Sequence, residues 1–292
     1  MTICVAAMCC EEIDGVVLPF IVGASDRMLT SIGDVEFEPD TPKIVQVAPS
    51  IAVMTAGDIS IHAEILAGVR LALDMFAQVN PNEWIGVETV AQAYGRLYDM
   101  ARLRRAENAI LTPLGLKADS YLDGRVAPDI AQDLLRQMGE FPDLPVHAII
   151  SGVDPSGPHI FVLYDGVVRH EDRVGFAAIG GGVEHASSHL MFMRHTAAKP
   201  MPETMFHVFY AKRRAEVVAG IGGATDMFIA GPTFRNFMFL PPELVNTIAR
   251  GYDGAQKGFN DGLAKGLTFF ADPIRASMRD AARKGREEKK GE

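Results

Sequence analysis

Cysteine is scarce in this chain, and its placement excludes more than its number does. The three thiols, Cys4, Cys9 and Cys10, all fall within the first ten residues. Adjacent Cys9 and Cys10 with one further cysteine make no disulfide framework, so a reducing compartment, the cytoplasm, is expected. They also fail to form two pairs at zinc-site spacing. Long apolar runs are missing: no stretch approaches the ~20 residues a membrane helix needs. The opening MTICVAAMCCEEIDG lacks the basic start of a secretory signal, so no membrane partner is expected. Basic charge is short as well, with 28 Lys and Arg against 37 Asp and Glu and a formal net charge of −9. That balance disfavours nucleic acid, whose phosphates require concentrated positive charge. GxxxxGK[ST], GxGxxG after a strand, GxSxG and HExxH are all absent. No cofactor and no metal is expected.

What is present is ordinary globular material, 48% hydrophobic and 22% charged over 292 residues, enough for a substantial core. The first sixty residues predict strands: TICVAAMCC, GVVLPFIVGAS, KIVQVAPS and IAVMTAG are short, β-branched and separated by turn residues such as Asp14-Gly15 and Pro49-Ser50. They are apolar almost throughout, so both faces should be covered. From Ile59 the period becomes helical, with Ile61, Ile65, Leu66, Val69, Leu73 and Phe76 on one stripe. A second helix is predicted from Val87 to Glu107, after the break at Asn80-Pro81-Asn82.

Residues 108–140 read as an insertion with one more helical piece. VHAIISGVD and HIFVLYDG follow as a hairpin turning at Pro155-Ser156-Gly157-Pro158, then VGFAAIGGG, helices at about 183–194 and 202–219, and a strand in GGATDMFIAG. The order strands, helices, strands, helices, strand lacks strict βαβ alternation. It predicts an α+β fold of two stacked antiparallel sheets with helices outside, a four-layer αββα sandwich. The expected division is a domain over 1–231 and a C-terminal extension over 232–292.

Thr2 follows the initiator methionine. Removal of Met1, which a small second residue permits, leaves a threonine with a free α-amino group of reference pKa about 7.7–8.0. One residue then supplies both nucleophile and base: its hydroxyl attacks and its amine takes the proton.

Several segments set Thr2 in a recognisable order. Gly23-Ala24-Ser25-Asp26-Arg27 carries an acid followed by arginine. Thr41-Pro42-Lys43-Ile44 carries a lysine at a strand start, Met54-Thr55-Ala56-Gly57 ends a strand before a helix, and Ser151-Gly152-Val153-Asp154 runs to Pro158-His159-Ile160. In this order they resemble the proteasome β-subunits and their bacterial relatives, N-terminal nucleophile (Ntn) hydrolases, over roughly residues 2–231. The resemblance implies Thr2 as nucleophile, Lys43 as a cation lowering the pKa of the nucleophile and its amine, Asp26 as partner of Lys43, and the Gly57 N–H as oxyanion donor. Thr55 would face the substrate side-chain pocket. It also implies a threonine-type peptidase acting on peptides or unfolded protein in a homo-oligomeric ring or helical assembly; any ATPase partner is unknown. An Ntn amidase acting on a small amide and a catalytically degenerate proteasome-like scaffold subunit are the alternatives.

The sequence departs from that pattern. Gly180-Gly181-Gly182 stands where the family has Gly-Ser-Gly, and alignment on Gly222-Gly223 puts Val218 and Ile221 where it has an aspartate and a serine. Asp226 or Glu216 would have to replace those polar groups. The segment from Thr2 to Asp26 is long, implying an extended first hairpin. Elsewhere, Glu184-His185 and His189 are read as a helix-surface pair rather than metal ligands, Arg102, Arg104 and Arg105 as a solvated helix end, and Cys4 as a nucleophile only after further processing. Gly254, Gly258 and Gly262 recur every four residues in a stretch open to helix or loop, and the last fourteen residues, with Arg279, Arg283, Lys284, Arg286, Lys289 and Lys290, are expected to be a solvated end.

Overall fold

The computed structural model describes residues 2–30, 36–38, 42–81, 83–117, 120, 126–232 and 237–288. Thr41, the removable Met1, Asn82, part of the insertion, Lys289 and Lys290 lie outside the described residues. So do the side chains of Arg283, Lys284 and Arg286.

The chain opens with β1 (Ile3–Ile13) and β2 (Val16–Asp26), joined at Asp14-Gly15 with φ of 52° and 79°. Two successive positive φ values match the right-handed twist of the flanking strands, and Asp-Gly tolerates them. This is the extended hairpin expected from the long Thr2–Asp26 segment. A short pair, β3 (Leu29–Thr30) and β4 (Glu36–Phe37), precedes β5 (Ile44–Ala48) and β6 (Ile51–Gly57). Helices α1 (Ile59–Val79) and α2 (Val87–Ala106) follow, with α3 (Pro128–Gly139) inside the insertion. Then come β7 (Val146–Asp154), β8 (Gly157–Tyr164), β9 (Val167–His170) and β10 (Phe176–Gly180). After α4 (Val183–Phe192) and α5 (Met201–Ala215), β11 (Thr225–Ala230) and β12 (Phe237–Phe239) complete the strands, and α6 (Pro242–Glu288) is the last element.

The fold is α+β, with two five-stranded antiparallel sheets ordered β10-β1-β2-β11-β12 and β5-β6-β7-β8-β9. Alternate residues of β1 explain their stacking. Cys4, Ala6 and Met8 point to one face and share a core with Ile21, Met54, Ala56, Ile149 and Ile160, residues drawn from both sheets. The other face of the second sheet, with Val53, Ile150, Phe161 and Leu163, is covered by Ile61, Ile65 and Val69 of α1 and Val90, Tyr94 and Tyr98 of α2. Helix α5 packs on β1 and β2. Strands buried on both faces are thus the reason the β1 and β6 sequences are apolar nearly throughout.

Four short strands escaped the sequence reading, among them the β3–β4 pair. Val167–His170 adds an edge beyond β8, and Phe237–Phe239 pairs with β11 past the residue 231 boundary. The arginines of α2 are less solvated than expected: Arg105 pairs with Glu64 of α1 at 2.9 Å and Arg102 with Asp143 at 3.2 Å. The chain divides into two compact units, Met1–Val245 and Asn246–Glu292. The second is continuous helix through Pro273, and Gly254, Gly258 and Gly262 sit within it.

His189 corrects another expectation. It is not on the helix surface with His185 but 5% exposed, its ring stacked on Tyr210 at 4.2 Å. His207 lies 5.5 Å from it, and His195 Nε2 donates to the Met8 carbonyl of β1 at 2.9 Å. Nε2 of His189 and Nδ1 of both His195 and His207 are buried with no hydrogen-bond partner among the described residues. Burial holds all three below the usual histidine value, His189 down to about 4, with His207 adding to the effect. A depressed folded-state pKa means the unfolded chain takes up protons first, so stability present above pH 6.5 is lost progressively as pH falls towards about 4. His189→Phe keeps a ring against Tyr210 without titrating. Its thermal midpoint should fall less steeply between pH 6.5 and 4 than that of the wild type, as differential scanning fluorimetry would read.

Candidate active site

Asp26 ends β2 with a fully buried side chain. Its Oδ1 accepts from the Thr2 hydroxyl at 3.0 Å, from the Ile3 N–H at 2.9 Å and from Lys43 Nζ at 2.9 Å. Its Oδ2 accepts from the Met28 N–H at 3.0 Å and the Gly222 N–H at 3.2 Å. A buried carboxylate is tolerated when both oxygens are bonded and a cation is adjacent. The β1–β2 register, Cys4 opposite Ser25, brings the two ends of the long hairpin together, so that Thr2 and Asp26 meet across 24 positions of sequence. Thr2 and Lys43 are each only 8% exposed.

Lys43 reaches this point from the start of the second sheet, just before β5. Its carbonyl accepts from the Thr55 N–H at 3.2 Å and from the Thr55 hydroxyl at 3.4 Å. Thr55 is therefore a neighbour of Lys43, and its own carbonyl lies 3.5 Å from the Cys4 thiol. Gly57 lies two residues further along β6. Its φ is +110°, and a Cβ there would stand 2.0 Å from the Pro145 carbonyl oxygen, so only glycine fits this turn. Asp58 caps α1 immediately after it, accepting from the Ser60 and Ile61 N–H groups. The strand-to-helix turn expected at Gly57 is present. Among the described residues, however, no hydrogen bond joins Gly57 to Thr2, Asp26 or Lys43.

The glycine triplet has a steric function at Thr2. Gly180 has φ +105°, and a Cβ on it would lie 2.1 Å from the Thr2 carbonyl oxygen; the Gly181 N–H donates to that same oxygen at 2.9 Å. Gly181 therefore meets Thr2 through its backbone. Neither substitute acid reaches Thr2. Asp226 is clamped by Arg27 through bonds of 2.9 and 2.6 Å, and Glu216 is bound by Lys212 at 2.6 Å and by Arg213 at 2.8 Å. Ile221 packs against the space beside Gly182.

Lys212 is the residue sequence reasoning missed. It is fully buried and donates to Glu216 Oε1 and to the Gly222 and Gly223 carbonyls at 2.7 and 3.1 Å. Burial lowers its pKa, against the opposing pull of Glu216 and of the Asp26 charge. By gripping the carbonyl of Gly222, it holds the segment whose N–H reaches Asp26. Nothing in the sequence reading singled out Lys212 in the run Lys212-Arg213-Arg214. The signal was there in the period, since Val208, Ala211 and Ala215 share the buried side of α5 with it.

Cys4 is fully buried and its thiol is pushed up to about 12, chiefly by burial, which makes it a core residue and no nucleophile. Among the described residues, His159, His170 and Asp172 are the one group of three ligand-type side chains close enough to hold a metal ion. Among the described residues, no helix is long and apolar enough to cross a membrane. In comparisons with known proteins, no family model matches the chain and no curated protein matches it.

Removing the buried cation tests the support of the site. Lys212→Ala leaves the Gly222 and Gly223 carbonyls without their donor and Glu216 with Arg213 alone, and should cost about 3 kcal/mol of unfolding free energy in urea titration. Partly exposed Lys199, paired with Glu203 at the start of α5, should cost well under 1 kcal/mol when replaced by alanine.

Proposed function

We propose that the chain is a threonine-type N-terminal nucleophile peptidase of the proteasome β-subunit type, acting in the cytoplasm on peptides or unfolded protein within a homo-oligomeric assembly. The observation that carries this reading is the meeting of Thr2 Oγ1 and Lys43 Nζ on one oxygen of a buried carboxylate, Asp26 Oδ1. Two sheets stacked with helices against them agree with the four-layer sandwich of that class.

In this mechanism, removal of Met1 frees the Thr2 amine. The amine takes the hydroxyl proton as Oγ1 attacks the scissile carbonyl and later passes it to the leaving amine, so one residue serves first as base and then as acid. The Lys43 charge stabilises the developing alkoxide and keeps the amine in its basic form. Asp26 holds Lys43 and the start of β1 in register. The Gly57 N–H is the proposed donor to the tetrahedral oxyanion, and water releases the acyl group from Thr2 Oγ1.

A second reading, a degenerate scaffold subunit, is favoured by one observation: Asp226 and Glu216, the acids proposed to orient the amine, are bound to Arg27 and Lys212 instead. A fluorogenic peptide panel separates the two. Under the peptidase reading, Thr2→Ala should lower turnover at least ~10³-fold and Lys43→Met by a similar factor, while both variants retain the wild-type fold by circular dichroism. Equal turnover by wild type and Thr2→Ala would remove Thr2 from the chemistry. The oligomer is read independently: a strict monomer at micromolar concentration in sedimentation would contradict the assembly.

A further inference from the structure

A second cluster lies on the last two strands of the second sheet. His159 stands on β8, His170 is the last residue of β9, and Asp172 follows two residues later. Asp172 Oδ1 accepts from the Ile160 N–H at 2.8 Å, which fixes the carboxylate plane. The other oxygen, Oδ2, then faces two imidazoles at once, His159 Nδ1 at 2.6 Å and His170 Nε2 at 2.5 Å. The His170 ring is set by stacking on Phe161, with centroids 4.7 Å apart and planes 17° from parallel.

Counting protons around His159 shows what this arrangement requires. Ser156 Oγ lies 2.6 Å from Asp154 Oδ1, and a carboxylate only accepts, so the single hydroxyl proton goes there. His159 Nε2, 2.8 Å from Ser156 Oγ and 3.4 Å from Asp154 Oδ1, must therefore donate. In a neutral ring Nδ1 is then a bare lone pair, and it faces the lone pairs of Asp172 Oδ2. A positive charge between them is needed, either a second ring proton or a cation. The convergence of a second imidazole on the same oxygen favours the cation. Asp154 is itself held, by the Val87 N–H at 2.9 Å and the Ser156 N–H at 2.8 Å. An imidazole that ligates through one nitrogen and donates through the other to an anchored hydroxyl–carboxylate pair is the usual outer-shell support of a metal site.

We propose that His159 Nδ1, His170 Nε2 and Asp172 Oδ2 bind a divalent first-row transition cation, with zinc as the best-suited ion. Two imidazoles and one carboxylate are a borderline donor set of the kind zinc takes. The three ligand atoms lie within 4.8 Å of one another. Tetrahedral ligands about 2.0–2.1 Å from zinc stand roughly 3.3 Å apart, so binding opens each of the two nitrogen–oxygen separations, 2.6 and 2.5 Å, by less than about 1 Å. His170, with 56% of its side chain exposed, can make that movement, and its exposure leaves the remaining coordination position to solvent.

The test is calorimetric titration of Zn²⁺ into the full chain after treatment with chelator. One equivalent should bind, and His170→Ala should weaken binding at least tenfold, while His185→Ala, an exposed histidine on α4, leaves it unchanged. His170 is the variant to use because its loss leaves the buried part of β8 and β9 in place, and circular dichroism checks that it does. Substituted Co²⁺ should give ligand-field bands without a thiolate charge-transfer band, which separates this site from Cys9 and Cys10. Absence of one-to-one binding, unchanged affinity in His170→Ala, or a thiolate band would overturn the proposal and leave His159 as an imidazolium held between two carboxylates.

Discussion

The buried carboxylate of Asp26 is the constraint on which the site depends. Five donors converge on it, from Thr2, Ile3, Met28, Lys43 and Gly222. They come from the chain start, the end of β2, the entry to the second sheet and the segment after α5. A lone charge at that depth would cost several kcal/mol. Lys43 neutralises it at 2.9 Å, and the field of buried Lys212 favours it from the other side. Because each donor sits on a different element, the carboxylate fixes where those elements meet. The closed packing of Gly180 against the Thr2 carbonyl then leaves the first residue of β1 little freedom.

The same carboxylate links packing to chemistry. A hydroxyl and an ammonium group are held on one oxygen, each from a residue that directly precedes a strand, while the carboxylate ends β2. Lys212 extends the support outward: its bonds to the Gly222 and Gly223 carbonyls hold the backbone whose N–H bonds Asp26. What this frame lacks is a side-chain acceptor for a free amine at Thr2 from Gly181, Asp226 or Glu216. The proposed peptidase must therefore orient its amine with fewer polar groups than its presumptive class provides.

Much of this was legible in the sequence, and the failures have physical causes. Thr2, Asp26 and Lys43 were singled out by an order of motifs that resembles the proteasome β-subunits, and the three side chains meet on one carboxylate. The helices α1 and α2 followed from apolar stripes, Ile61-Ile65-Val69 and Val90-Tyr94-Ala101. Lys212 was hidden because a charged residue in a basic run reads as solvated unless its face is tracked. His189 was misplaced for the same reason: its ring lies flat on Tyr210 rather than in water. β9 and β12 are four and three residues long, too short for alternation to show. In α6, four glycines at fourfold spacing weaken propensity, so the choice between helix and loop lay beyond sequence reasoning.

The account turns on the amine of Thr2, and the mass of the intact purified protein tests it most directly. A chain lighter than the full sequence by one methionine residue, with Thr2 at its start, is the predicted result. Retention of Met1 would block the amine and contradict the proposed nucleophile.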